Sequence, residues 1–222
     1  FGQFLLVPTT EYLISKYGWS SSLYILLALA CIMLFFAYAL GFSKNSESSK
    51  KGSNQNITQA LNEAFKNKSF NLLTIGFFVC GFHVTFVATH LPAFLVDENL
   101  PSWLGSWALA LIGLFNVIGT LYFGFLGDRM SKKNLLALIY ALRSILFLAF
   151  IILPKNEITV LLFAAMLGIL WLSTVPLTSG IIGVVFGPFY MSMLYGIAFL
   201  SHQIGSFLGS WLGGRLFDYY GT

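Results

Sequence analysis

Trp103 to Lys133 reads WLGSWALALIGLFNVIGTLYFGFLGDRMSKK, and its two parts have opposite characters. From Trp103 to Leu126 there is no charged residue. A helix of that length rises about 36 Å at ~1.5 Å per residue, enough to cross a ~30 Å hydrocarbon core. The next seven residues hold Asp128, Arg129, Lys132 and Lys133. An apolar run of spanning length that stops on a basic turn predicts a helix crossing a bilayer and surfacing at its end.

Outward from that stretch the pattern repeats. Spans are predicted at about 19–42, 70–95, 103–126, 134–153, 158–180 and 189–213, with residues 1–15 as the outer end of an earlier helix. Composition agrees: 57% of the 222 residues are apolar and 9% charged, and the mean hydropathy is +0.81. A soluble surface needs far more charge, so this chain faces lipid. The 23 Phe and 21 Gly suit lipid faces and close helix contacts. The fold class is therefore an all-α, multi-pass membrane bundle. A net charge of +4 is too small to point to nucleic acid. Cys31 and Cys80 lie in apolar runs and read as packing residues.

Basic residues set the orientation. Lys44, Lys50, Lys51, Lys66, Lys68, Arg129, Lys132 and Lys133 fall on one side; Lys16, Lys155 and Arg215 fall on the other. The excess puts segments 43–69 and 127–133 in the cytoplasm of a cell (inner) membrane protein. Within 43–69, Ile57, Leu61, Ala64 and Phe65 recur at helical spacing, which predicts an amphipathic interfacial helix. The sequons at Asn56 and Asn67 are then cytoplasmic and unmodified.

The loop Gly124-Phe125-Leu126-Gly127-Asp128-Arg129-Met130-Ser131-Lys132-Lys133 is the most specific motif. Gly124 and Gly127 let helix ends approach. Asp128 suits a helix N-terminus, and Arg129, Lys132 and Lys133 face anionic headgroups. The pattern resembles the signature loop of the major facilitator superfamily, with Ser131 for a Gly and lysines for the final arginines. The resemblance implies a conformational role for this loop. It also implies that residues 1–42 are part of helix 5 and helix 6, that 43–69 is the linker between halves, and that 70–222 hold helices 7–11. Helix 12 and most of the N-terminal half would lie outside the chain. Ser173–Gly180 and Ser201–Gly214 are similar to the monocarboxylate and oxalate–formate branch. Gly205, Gly209 and Gly213 recur every four residues, as do Ser206, Ser210 and Gly214, which predicts close helix contact.

Polar groups at membrane depth are the candidate site. His83, Asn116, Trp171 and His202 each fall thirteen residues into a span, with Gln203 beside His202. The resemblance places their helices around a central cavity, which makes these five the candidate substrate-binding residues. Each also has a plainer reading as a helix-packing or hydrogen-bonding group. Arg143 lies mid-span, and no Asp or Glu falls within the six spans. Three partners are open to it: backbone carbonyls of neighbouring helices, a carboxylate elsewhere in the carrier, or an anionic substrate. No metal ligand set, cofactor or catalytic group is predicted; Ser201 and His202, as helix neighbours, point about 100° apart.

The resemblance thus implies a secondary transporter moving a small solute by alternating access; cationic and His groups without carboxylates in the spans lean towards organic anions. A coupling proton at His83 or His202, or a counter-substrate, is the further partner left open. A transporter-fold sensor or scaffold is the alternative, and a membrane enzyme is disfavoured.

Overall fold

The structure, a computed structural model, describes residues 2–41 and 56–220, and of 35–41 the backbone alone. Among the described residues there is no strand; eight helices follow one another, most of them long and apolar. Five segments are long and apolar enough to cross a membrane: Gly2–Leu34, Lys68–Asp97, Ser102–Arg129, Lys132–Ile152 and Glu157–Phe186.

Helix α1 (Gly2–Gly41) is two limbs joined at Gly18, whose φ of 79° and ψ of 169° only glycine adopts readily. Leu26 of the second limb shares a groove with Thr10 and Glu11 of the first, so the limbs fold back on each other. Ser22 steadies the corner, donating to the Gly18 carbonyl at 2.9 Å. Glu11 is a half-buried acid on this span, one that the sequence count of six spans left out.

A helix forms where one is predicted, α2 (Ile57–Lys66), but its buried residues are Ala60 and Ala64, while Ile57 and Phe65 are exposed. Small side chains let α2 lie flat on the bundle; the larger ones flank the contact. Both sequon asparagines begin helices. The Asn56 amide donates to the Gln59 side chain, and the Asn67 side chain accepts from the amides of Ser69 and Phe70. Residues 43–55, the rest of the predicted linker, lie outside the described residues, as does residue 42 at the end of the predicted 19–42 span.

Helices α3 (Lys68–Asp97), α4 (Ser102–Arg129) and α5 (Lys132–Ile152) match the predicted spans, each longer or shifted by a few residues. The predicted span 158–180 is different. It is broken at Trp171–Ser173 into α6 (Glu157–Leu170) and α7 (Thr174–Phe186). Pro176 supplies the reason, since it has no amide and its ring crowds the carbonyl four residues back. That carbonyl, on Leu172, accepts instead from the Val175 amide at 2.9 Å. A second glycine corner, Gly187 with φ 78° and ψ 170°, turns the chain into α8 (Pro188–Tyr220). Helix α8 runs past the predicted end at residue 213, through Arg215 to Tyr220. Ser201, His202, Gln203, Ser206 and Ser210 make α8 less apolar, and the predicted span 189–213 is not among the five segments apolar enough to cross.

Packing sets α3 along α8, α4 along α6, and α1 against α4. The α3–α8 seam is built on glycine. A Cβ at Gly81 would collide with the His202 carbonyl, one at Gly205 with the Phe78 carbonyl, and one at Gly209 with the Phe82 carbonyl. Two apolar blocks form the core. One gathers Phe70, Phe77, Leu135, Leu177 and Leu194; the other gathers Leu91, Leu104, Ala108, Phe163 and Leu167. Along α3 the first block ends at Cys80 and the second begins at Val87, so residues 81–86 mark the level between them.

Candidate functional site

That level is where the polar side chains meet. His83, Asn116, Arg143 and Trp171 each lie within two residues of the midpoint of their span, and His202 lies within two of the midpoint of α8. Arg143 is at the centre, with a relative exposure of 2%. Its Nε donates to the Leu170 carbonyl at 3.1 Å, and one terminal nitrogen donates to the carbonyls of Leu170 and Trp171. The other bonds Cys80 Sγ at 3.2 Å and His83 Nε2 at 2.7 Å. A guanidinium carries five N–H groups. These five contacts use them all. Of the three partners left open by the sequence, backbone carbonyls are the ones the structure supplies, with His83 and Cys80 completing the set. The carbonyls are those left over at the end of α6, where the helix dipole is negative and a cation is favoured.

Asn116 serves the other side of the same break. Its Oδ1 accepts the Leu172 amide at 3.0 Å and the Thr120 hydroxyl at 3.1 Å. Glycine again allows the approach: a Cβ at Gly119 would strike the Ile169 carbonyl, and one at Gly168 would crowd Ile112 and Phe115. Trp171 is buried and joins the cluster through its carbonyl.

His202 packs from α8 against Phe77 of α3. Its ring stacks on Phe199 with centroids 5.4 Å apart and tilts against Phe77 at 5.0 Å. Ser206 Oγ is 3.5 Å from its Nδ1. Gln203 is exposed on a different face and joins none of this. Sequence reasoning missed Cys80 and Thr174, whose Sγ and Oγ1 are 3.5 Å apart and tie α3 to the start of α7. Pro176 was the available signal, because a proline inside a span frees main-chain groups that polar neighbours must then satisfy.

Beside Arg143 a cavity of about 290 Å³ opens between α3 and α5, lined by His83, Tyr140, Ser144 and Phe147 among others. Tyr140 closes one side by donating to the Gly76 carbonyl at 2.7 Å. A larger groove of about 720 Å³ lies along α1 and the start of α4, with Glu11 and Ser102 on its walls.

The loop joining α4 to α5 lies along the first half of α7. Gly124 faces Pro176, and Gly127 leaves room for the Leu177 side chain. Lys132 donates to the Gly127 carbonyl at 2.6 Å, and its stem lies against Gly180. Arg129 covers the Phe125 ring at 4.2 Å, and Lys133 is exposed. Asp128 does not cap a helix N-terminus. Its side chain is 82% exposed and sits 4.0 Å from Lys132, because the Lys132 stem rather than Asp128 turns inward to α7.

The family model described as Major Facilitator Superfamily matches residues 1–210. The chain belongs to the Major Facilitator Superfamily. Membership makes this a multi-pass membrane protein of a transporter family rather than an enzyme family. It is similar to the uncharacterized MFS-type transporter YcxA of Bacillus subtilis (strain 168), with 26% identity over 158 residues. That match takes in 69% of this chain and 38% of the relative, so the chain spans well under half of the curated protein it matches. Within this superfamily chain, the polar cluster around Arg143 is the candidate site, and it is built around a broken helix.

Proposed function

We propose that the chain is part of a secondary transporter that carries a small organic anion across the cell membrane by alternating access. One observation carries the choice of anion. Arg143 is buried at mid-depth, and no carboxylate pairs with it among the described residues. Its hydrogen bonds are filled, but its charge is not cancelled. A buried positive charge in a low-dielectric bundle favours an anion in a neighbouring cavity. His83, His202, Asn116 and Trp171 stay in the proposal as the polar level around which the solute sits. Gln203 belongs to it only where another helix covers its exposed face.

The same reading assigns the limbs of α1 to helices 5 and 6, and α3, α4, α5, α6–α7 and α8 to helices 7 to 11. Residues 43–69 then link the two halves, and the opposing cavity wall comes from residues beyond this chain. The basic loops face the cytoplasm, and the loop at Gly124–Lys133 moves with the conformational change.

Uptake by the full-length carrier in proteoliposomes tests the proposal. Radiolabelled monocarboxylates and dicarboxylates should accumulate above empty vesicles, and organic cations should not. Uptake of cations with no uptake of carboxylates overturns it.

A further inference from the structure

The break between α6 and α7 leaves main-chain groups exposed halfway across a bilayer, where no water is at hand to satisfy them. Serine hydroxyls or water usually settle such a defect. Here two long polar side chains from two other helices settle it. Arg143 of α5 takes the carbonyls of Leu170 and Trp171 on one side, and Asn116 of α4 takes the Leu172 amide on the other. A mid-span Arg is among the most expensive residues to insert. With every N–H committed, it has no donor left for a solute.

Beyond the break, α7 is a 13-residue lever. Its near end is tied to α3 through Thr174 and Cys80. Farther along, it meets the α4–α5 loop through Leu177 over Gly127 and Gly180 against Lys132. A change of angle at Trp171–Ser173 therefore moves the contacts with that loop.

We propose that Arg143 and Asn116 are positioning residues: they hold the α6–α7 break at a set angle, and transport proceeds by changing that angle. The proposal rests on the transport reading for its purpose, but the angle is measurable without any solute.

The test places spin labels at Met166→Cys and Val184→Cys, both exposed and on opposite sides of the break. The full-length carrier is used in nanodiscs with Cys31→Ser, Cys80 being buried. Pulsed dipolar spectroscopy then reads the distance distribution. Asn116→Leu and Arg143→Leu should broaden it by about twofold, as the break samples more angles. Asn116→Asp keeps the acceptor for Leu172 and should restore the parent distribution. If Arg143→Leu does not fold, Asn116→Leu decides. Cooperatively melting Asn116→Leu protein with an unchanged distribution overturns the proposal. So does Asn116→Asp broadening as much as Asn116→Leu. Failed carboxylate uptake with the expected broadening would sink the solute assignment and leave the braces standing.

Discussion

Arg143 donates to His83 Nε2 across 2.7 Å, which fixes the protonation pattern of the imidazole. A guanidinium has no lone pair to offer, so Nε2 must be the acceptor and the ring must be neutral. His83 thus acts here as a hydrogen-bond acceptor. A side chain that keeps an acceptor at that position should replace it; one that lacks an acceptor should not.

Accordingly, His83→Gln should melt close to the parent protein. His83→Leu leaves a buried guanidinium N–H without a partner and should lose about 1–3 kcal/mol. Thermal unfolding in detergent, followed by tryptophan fluorescence, compares the two. Equal melting temperatures for both variants would count against the neutral-acceptor assignment.

The glycines of α8 should divide by what faces them. Gly205→Ala drives a methyl into the Phe78 carbonyl, and main chain cannot step aside. It should destabilise by about 1–3 kcal/mol. Gly214→Ala meets nothing within 4 Å. It should be neutral or gain up to ~1 kcal/mol from helix propensity. The same melting assay reads both.

Gly18 and Gly187 hold nearly the same conformation, with φ near +80° and ψ near 170°. Any other residue there is strained by about 1–3 kcal/mol. Neither position is crowded, so the loss in Gly18→Ala and Gly187→Ala comes from the backbone alone. Larger substitutes such as Ser should cost no more than Ala, which chemical denaturation can check.

Orientation is open to direct measurement. In right-side-out vesicles holding the full-length carrier with Cys31→Ser, a membrane-impermeant maleimide should label Glu98→Cys. Lys133→Cys should react only after the vesicles are opened. Labelling of both from the outside would remove the cytoplasmic assignment of the α4–α5 loop.

How much of this was legible in the sequence varies with how local the cause is. Spans α3, α4 and α5 were readable because apolar length is a property of each segment alone. The break at Trp171–Ser173 was not read, although Pro176 announces it. The apolar run on both sides continues at full length, and hydropathy does not register a missing hydrogen bond. Arg143 stayed open among three partners because its partners exist only once α6 is interrupted 27 residues further on. The bond from the Leu172 amide to Asn116 was not legible for a related reason: an amide oxygen at mid-depth serves a solute or a stray amide equally well. Asp128 and Lys132 exchanged roles, since sequence gives their spacing but not which of the two turns inward.

The glycine seam between α3 and α8 has a mechanical side. Carbonyls of His202, Phe78 and Phe82 nest over Gly81, Gly205 and Gly209, main chain against main chain. Surfaces that interlock this closely cannot slide past one another without first coming apart. The two helices therefore travel as one stiff plank, and any flexing within this bundle is thrown onto its interrupted member.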